Sequence, residues 1–96
     1  MTRSQALQGI RESWERLARM GVARVGLFGS VARDEAGPES DIDVLVDFEG
    51  PATFDGYMEV KFLLEDILGR PIDLVTRKAL KERMRPQVEK EAVYVP

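Results

Sequence analysis

The chain has 96 residues, a net charge of −3, no cysteine and no histidine. At this length one domain is expected, spanning residues 1–96, near the lower limit for burying a core without help. The composition excludes disulfides, thiolate zinc sites, cysteine nucleophiles and every Ser-His triad, so catalysis must rest on carboxylates, hydroxyls, Lys/Arg or a metal held by oxygen.

In chain order, Leu7, Ile10, Trp14, Leu17 and Ala18 fall at helical spacing, predicting one helix over residues 4–20 that ends at Gly21. Val22–Phe28 reads as a buried strand. Ser30–Ala36 reads as a helix of two turns at most, with Ser30 as N-cap and Gly37-Pro38 as terminator. Asp41–Asp47 alternates acids with branched apolar residues, the period of a strand. Residues 54–68 form a helix with Tyr57, Val60, Leu64, Ile67 and Leu68 along one stripe, widened by Met58 and Phe62. Pro71–Val75 is a short strand, and Leu80, Met84 and Val88 mark a last helical stretch. Pro86 there is either a kink or the first residue of a second helix. Val93-Tyr94-Val95 is a candidate closing strand. The order αβαβαβα predicts an α/β (α+β) fold, a mixed sheet of three or four strands with packed helices.

The N-terminus lacks the apolar run of a signal peptide and no stretch approaches the ~20 apolar residues that span a bilayer, so a soluble, cytoplasmic protein is expected. The charge is segregated: residues 1–33 carry +4, residues 34–73 carry −10 and residues 74–96 carry +3. This fits either chance in a small protein or an acidic cation site between basic flanks suited to phosphate.

Three features could carry chemistry. Gly29-Ser30 lies at a strand-to-helix joint, where backbone can approach a ligand, the serine offers a hydroxyl and first-turn N–H groups are free. Arg33, one turn on, could reach a phosphate oxygen, although a glycine-serine pair at a helix start is also common structure. Asp41 and Asp43 share one face of a strand, with Cα atoms ~6.5–7 Å apart, and could hold one or two cations such as Mg²⁺. Asp73 is the only charge in an apolar strand, so it must be exposed, paired or on a metal.

Taken together, Gly29-Ser30, ten intervening residues, Asp41-x-Asp43 and a strand aspartate thirty residues on resemble the nucleotidyltransferase signature of the polymerase-β-like superfamily. The size resembles the minimal nucleotidyltransferases. The stretches that match are Gly26–Arg33, Ser40–Val46, Leu68–Val75 and Glu91–Val95, while Pro86 departs from a usually plain helix. The resemblance implies a nucleotidyltransferase fold and an antitoxin that moves AMP from ATP onto a hydroxyl, usually tyrosine, of a HEPN-domain RNase toxin. It implies that Gly29, Ser30 and Arg33 bind the triphosphate, that Asp41 and Asp43 bind two Mg²⁺, and that Asp73 is a third ligand or the general base. Two alternatives remain open: a non-catalytic antitoxin that neutralises the toxin by stoichiometric binding, and nucleotidyl transfer to a small-molecule acceptor. Direct nucleic-acid binding is not expected, because no broad basic surface interleaved with aromatics is visible.

Overall fold

A computed structural model describes residues 1–80, 82 and 84–95. Helix α1 (Arg3–Glu12) starts on a capping box in which Thr2 Oγ1 accepts the Gln5 N–H and Gln5 Oε1 accepts the Thr2 N–H. The expected helix over 4–20 is two helices, since Ser13 leaves helical geometry (φ −106°, ψ 13°) and α2 (Trp14–Arg19) begins beyond it. The break is a tightened turn, the Ser13 N–H reaching the Ile10 carbonyl at 3.1 Å. Ile10 and Leu17 are both fully buried, so the apolar stripe survives it.

Strand β1 (Val22–Phe28) runs into the short helix α3 (Gly29–Ala32), and a loop leads to β2 (Ile42–Phe48). Helix α4 (Phe54–Leu68) begins at Thr53, whose hydroxyl accepts the Gly56 N–H, and ends at Gly69 with φ 64°. Then follow β3 (Ile72–Thr76), a 3₁₀ turn (Arg77–Ala79), α5 (Arg85–Glu91) and β4 (Val93–Tyr94). Pro86 sits in the first turn of α5, where its missing N–H costs nothing, so it starts a second helix and does not kink one. Lys81 and Arg83, within the last predicted helical stretch, lie outside the described residues.

The sheet has four strands in the order β3-β2-β1-β4, with β2–β3 parallel and the other pairs antiparallel, as the mixed α/β reading expected. Alternation along β2 divides its side chains cleanly. Ile42, Val44 and Val46 are fully buried in the main core with Ala6, Ile10, Leu17, Val60 and Leu64 from the helices. Leu45 faces the other way, into a small cluster with Leu80 and Val88, flanked by Phe28, Val75 and Tyr94. Asp43 and Asp73 occupy the second face.

Both edges of the sheet are managed. On β3, Glu65 of α4 accepts the Ile72 N–H at 3.3 Å, and the Tyr57 hydroxyl donates to the Leu74 carbonyl. At the other edge the Tyr94 ring lies across Gly26, where an added Cβ would stand 2.9 Å from the ring, and the Arg24 guanidinium stacks 3.9 Å above the ring centroid. Among the described residues no helix is long and apolar enough to cross a membrane.

Candidate active site

The site forms where the C-terminal end of β1 meets the N-terminal ends of β2 and β3. Asp43 is the second residue of β2, paired with Phe28 on one side and with Asp73 of β3 on the other. In a parallel pair, matched residues point to the same face about 4.8 Å apart, so the ladder itself sets the two carboxylates side by side. Asp73 lies on the edge strand and is exposed, whereas Asp43 is half-buried. Asp41 is exposed and stands one residue before β2.

Crowding of like charge marks Asp43. Its carboxyl is pushed up to about 6, first by burial, then by the charge of Asp73 and a hydrogen bond to it, and further by Asp41 and Glu91. Among the described residues the ion pairs engage Glu35, Glu89 and Glu91, and none engages Asp41, Asp43 or Asp73. The site therefore carries negative charge that the described side chains leave uncompensated.

That charge fits a cation. Among the described residues no group of three carboxylates is gathered tightly enough to hold a metal ion by itself. Mg²⁺ does not need such a cage, because it commonly takes one or two carboxylates and fills its octahedron with water and substrate phosphates. The pair Asp43–Asp73, with Asp41 at the mouth of the strand, has the donors for that arrangement.

Gly29 follows β1 with φ 69°, a conformation that side chains rarely adopt. A Cβ there would collide with Asp43 Oδ2 and stand 3.1 Å from its Cγ. The close approach that a glycine permits is thus made first to the Asp43 carboxylate. Ser30 is the second residue of α3, half-buried, and its hydroxyl has no hydrogen-bond partner among the described residues. The N-cap position belongs to Phe28, not to Ser30 as the sequence predicts, because the helix starts two residues earlier than a Ser30 cap requires.

The terminator of α3 also differs from the expected Gly37-Pro38. Asp34 adopts φ 62°, its N–H bonds to the Val31 carbonyl at 3.1 Å, and the Glu35 N–H bonds to the Ser30 carbonyl at 2.8 Å. This is a Schellman end with aspartate in the left-handed position, which its short polar side chain tolerates. The Asp34 carboxylate accepts the Arg3 N–H at 2.9 Å, and Arg3 Nη1 donates to the Ala32 carbonyl at 3.1 Å. The start of α1 thereby pins the end of α3.

Arg33 is half-exposed, and its guanidinium bonds to Glu91 at 2.6 Å and to Glu35 at 3.4 Å. Glu91 belongs to α5, has 19% side-chain exposure and acts electrostatically on Asp43. Sequence reasoning did not single it out, and only its place in the terminal Glu91–Val95 match hinted at it. Arg70 was also missed; its guanidinium reaches the turn before Asp41.

Comparison with known proteins agrees with this geometry. The nucleotidyltransferase domain family matches residues 7–95. The protein adenylyltransferase MntA of Thermococcus cleftensis is 43% identical over 77 residues, covering 80% of this chain and 78% of that protein. A solved structure described as a candidate minimal nucleotidyltransferase superposes with a TM-score of 0.83 at 41% identity, covering 97% of this chain and 95% of that one. The complex of a tri-AMPylated Shewanella oneidensis HEPN toxin with its MNT antitoxin shares the fold, with a TM-score of 0.65 at 20% identity, over 94% of this chain and 71% of that one. With the signature aspartates on adjoining strands beside Gly29, this chain belongs to the nucleotidyltransferase domain family and groups there with the minimal nucleotidyltransferases.

Proposed function

We propose that this nucleotidyltransferase moves AMP from ATP onto a hydroxyl, most simply a tyrosine, of a HEPN-domain RNase toxin, and so acts as its antitoxin in the cytoplasm. The observation that carries the reading is Asp43, half-buried between Gly29 and Asp73 with its charge uncompensated by the described side chains. The adenylyltransferase relative and the AMPylated toxin complex support the choice of nucleotide and acceptor.

In this reading the Gly29-Ser30 backbone and the Ser30 hydroxyl orient the triphosphate at the edge of the carboxylate pair. Arg33 adds charge when a phosphate oxygen competes for its guanidinium with Glu35 and Glu91. Asp41, Asp43 and Asp73 would hold two Mg²⁺ ions, which when bound neutralise phosphate charge and lower the pKa of the acceptor hydroxyl. Asp73 is exposed on the edge strand, open to an incoming hydroxyl, and serves as a ligand or takes the proton as general base. The acceptor oxygen bonds to the α-phosphorus, the bond from that phosphorus to the β-bridging oxygen breaks, and pyrophosphate leaves.

A contribution from binding alone has its own observation. On α4, Phe54 is 77% and Phe62 58% exposed, more apolar surface than a solvated helix requires. Incubation with α-labelled ATP, Mg²⁺ and the cognate HEPN protein should label that protein, and Asp43→Asn should abolish the label. Absence of label, or equal labelling by the variant, removes the catalytic reading. If an Asp41→Asn/Asp43→Asn protein still protects RNA from the toxin at equimolar dose, binding suffices for neutralisation.

A further inference from the structure

Asp43 and Asp73 are aligned by the strand ladder, but Asp41 is outside it, at the end of an irregular loop. Something else must fix its place. Arg70 follows the left-handed Gly69 that ends α4 and precedes Pro71 at the entrance to β3. Its Nη2 donates to the Ser40 carbonyl at 2.5 Å and to the Gly37 carbonyl at 3.2 Å. These are the two ends of one turn, which the Ser40 N–H closes on the Gly37 carbonyl at 3.2 Å and the Gly37 N–H closes on Ser40 Oγ at 3.0 Å.

The next residue completes the hold. The Ile42 N–H donates to the Pro71 carbonyl at 3.0 Å. The peptide group before Asp41 is thus bound by Arg70 and the one after it by Pro71, and two residues further along the same segment stands Asp73. Among the described residues Arg70 makes no ion pair, so its guanidinium is committed to these carbonyls. The two N–H bonds of this one nitrogen are held in the guanidinium plane and serve both carbonyls, a direction that a lysine ammonium on its flexible stem does not fix.

We infer that Arg70 is a positioning residue that holds Asp41 in line with Asp73 for a divalent cation; the inference rests on the nucleotidyltransferase reading of the site. It separates from a purely structural role through the metal and through Asp41. Removing such an outer partner of a ligand typically weakens metal binding about 10–100-fold. Arg70→Ala should therefore weaken Mn²⁺ binding, read by electron paramagnetic resonance, by about tenfold or more. It should also speed hydrogen exchange at the Ile42 amide in metal-free protein, and lower kcat while KM for ATP stays near the wild-type value. Arg70→Lys should recover part of the Mn²⁺ affinity, since one ammonium can keep one carbonyl.

In an Asp41→Asn background, Arg70→Ala should add no further loss of Mn²⁺ affinity; a full additional loss overturns the inference. Should Arg70→Ala fail to fold, Arg70→Lys and Arg70→Gln carry the same comparison. Wild-type protein that binds no Mn²⁺ overturns both the inference and the reading it rests on. Wild-type binding with an unchanged Arg70→Ala or Arg70→Gln affinity overturns the inference alone.

Discussion

Gly29 lies with its α-carbon against the carboxylate of Asp43, so that any side chain at residue 29 would run into Asp43 Oδ2. Its backbone is also left-handed, with φ 69°. The end of β1 and the start of β2 can approach this closely only because residue 29 has no Cβ. The turn at Gly29 and the Asp43 carboxylate are thereby one packed unit.

Gly29→Ala should cost stability twice, about 1 kcal/mol for the left-handed backbone and about 1–3 kcal/mol for the collision. Urea unfolding measures the total. An Asp43→Ala background removes Oδ2 and Cγ and leaves only a 3.3 Å approach to Cβ, so most of the collision cost should go and the total should fall toward about 1 kcal/mol. An unchanged cost there would mean that the two residues are not in steric contact.

Asp43→Asn should stabilise the metal-free protein at neutral pH. The folded state holds the Asp43 proton to about pH 6, while a free aspartate loses it near 3.8. Folding therefore takes up protons between those values, and stability falls as pH rises through that window. Asparagine removes the penalty, a gain of about 1 kcal/mol once solvent screening of a half-buried group is allowed for. Urea unfolding in EDTA at pH 4 and pH 8 checks it: the gain should be present at pH 8 and largely absent at pH 4.

Asp73→Asn should separate binding from chemistry. If Asp73 accepts the acceptor proton, kcat falls about 10²–10⁴-fold while ATP binding persists. Loss of Mg²⁺ affinity in the same variant would assign Asp73 to the metal. Steady-state labelling and Mn²⁺ titration on one preparation distinguish the two.

Glu91→Gln should release Arg33 and remove a negative charge that acts on Asp43. The lost pair is partly exposed, so stability should change by less than about 1 kcal/mol. ATP binding should tighten about 2–5-fold at low salt, from about 0.5–1 kcal/mol of recovered attraction. Weaker ATP binding would show instead that Glu91 is needed to aim Arg33 at the phosphates.

Phe62→Ser should leave the fold intact, with stability within about 0.5 kcal/mol of wild type, because the ring is mostly exposed. Affinity for the proposed HEPN-domain toxin, read by calorimetry, should drop if α4 is part of the contact. Equal affinity places the contact elsewhere.

Much of this protein is local, and that part was legible in its residues. The period of two in Asp41–Asp47 specified a strand and its buried face of Ile42, Val44 and Val46, but the strand begins at Ile42 and leaves Asp41 outside the ladder, not on a shared strand face with Asp43 as expected. Thr53 and Gly69 bracket α4 by capping chemistry that needs no distant partner. The break at Ser13 and the early end of α3 escaped, because a tightened turn and a left-handed aspartate held by Arg3 leave no compositional mark. Spacing could nominate Asp43 and Asp73 but could not show them adjacent, since thirty residues and the whole of α4 separate them. Only the parallel β2–β3 ladder sets the carboxylates side by side, where burial and then the charge of Asp73 raise Asp43. Tertiary structure likewise bound Arg33 to Glu91 and set Arg70 on the turn before Asp41, contacts between residues 58 and 30 positions apart. The missing histidine and cysteine left carboxylates, hydroxyls, Lys/Arg or an oxygen-held metal to carry the chemistry, but where the carboxylates meet was decided by strand order.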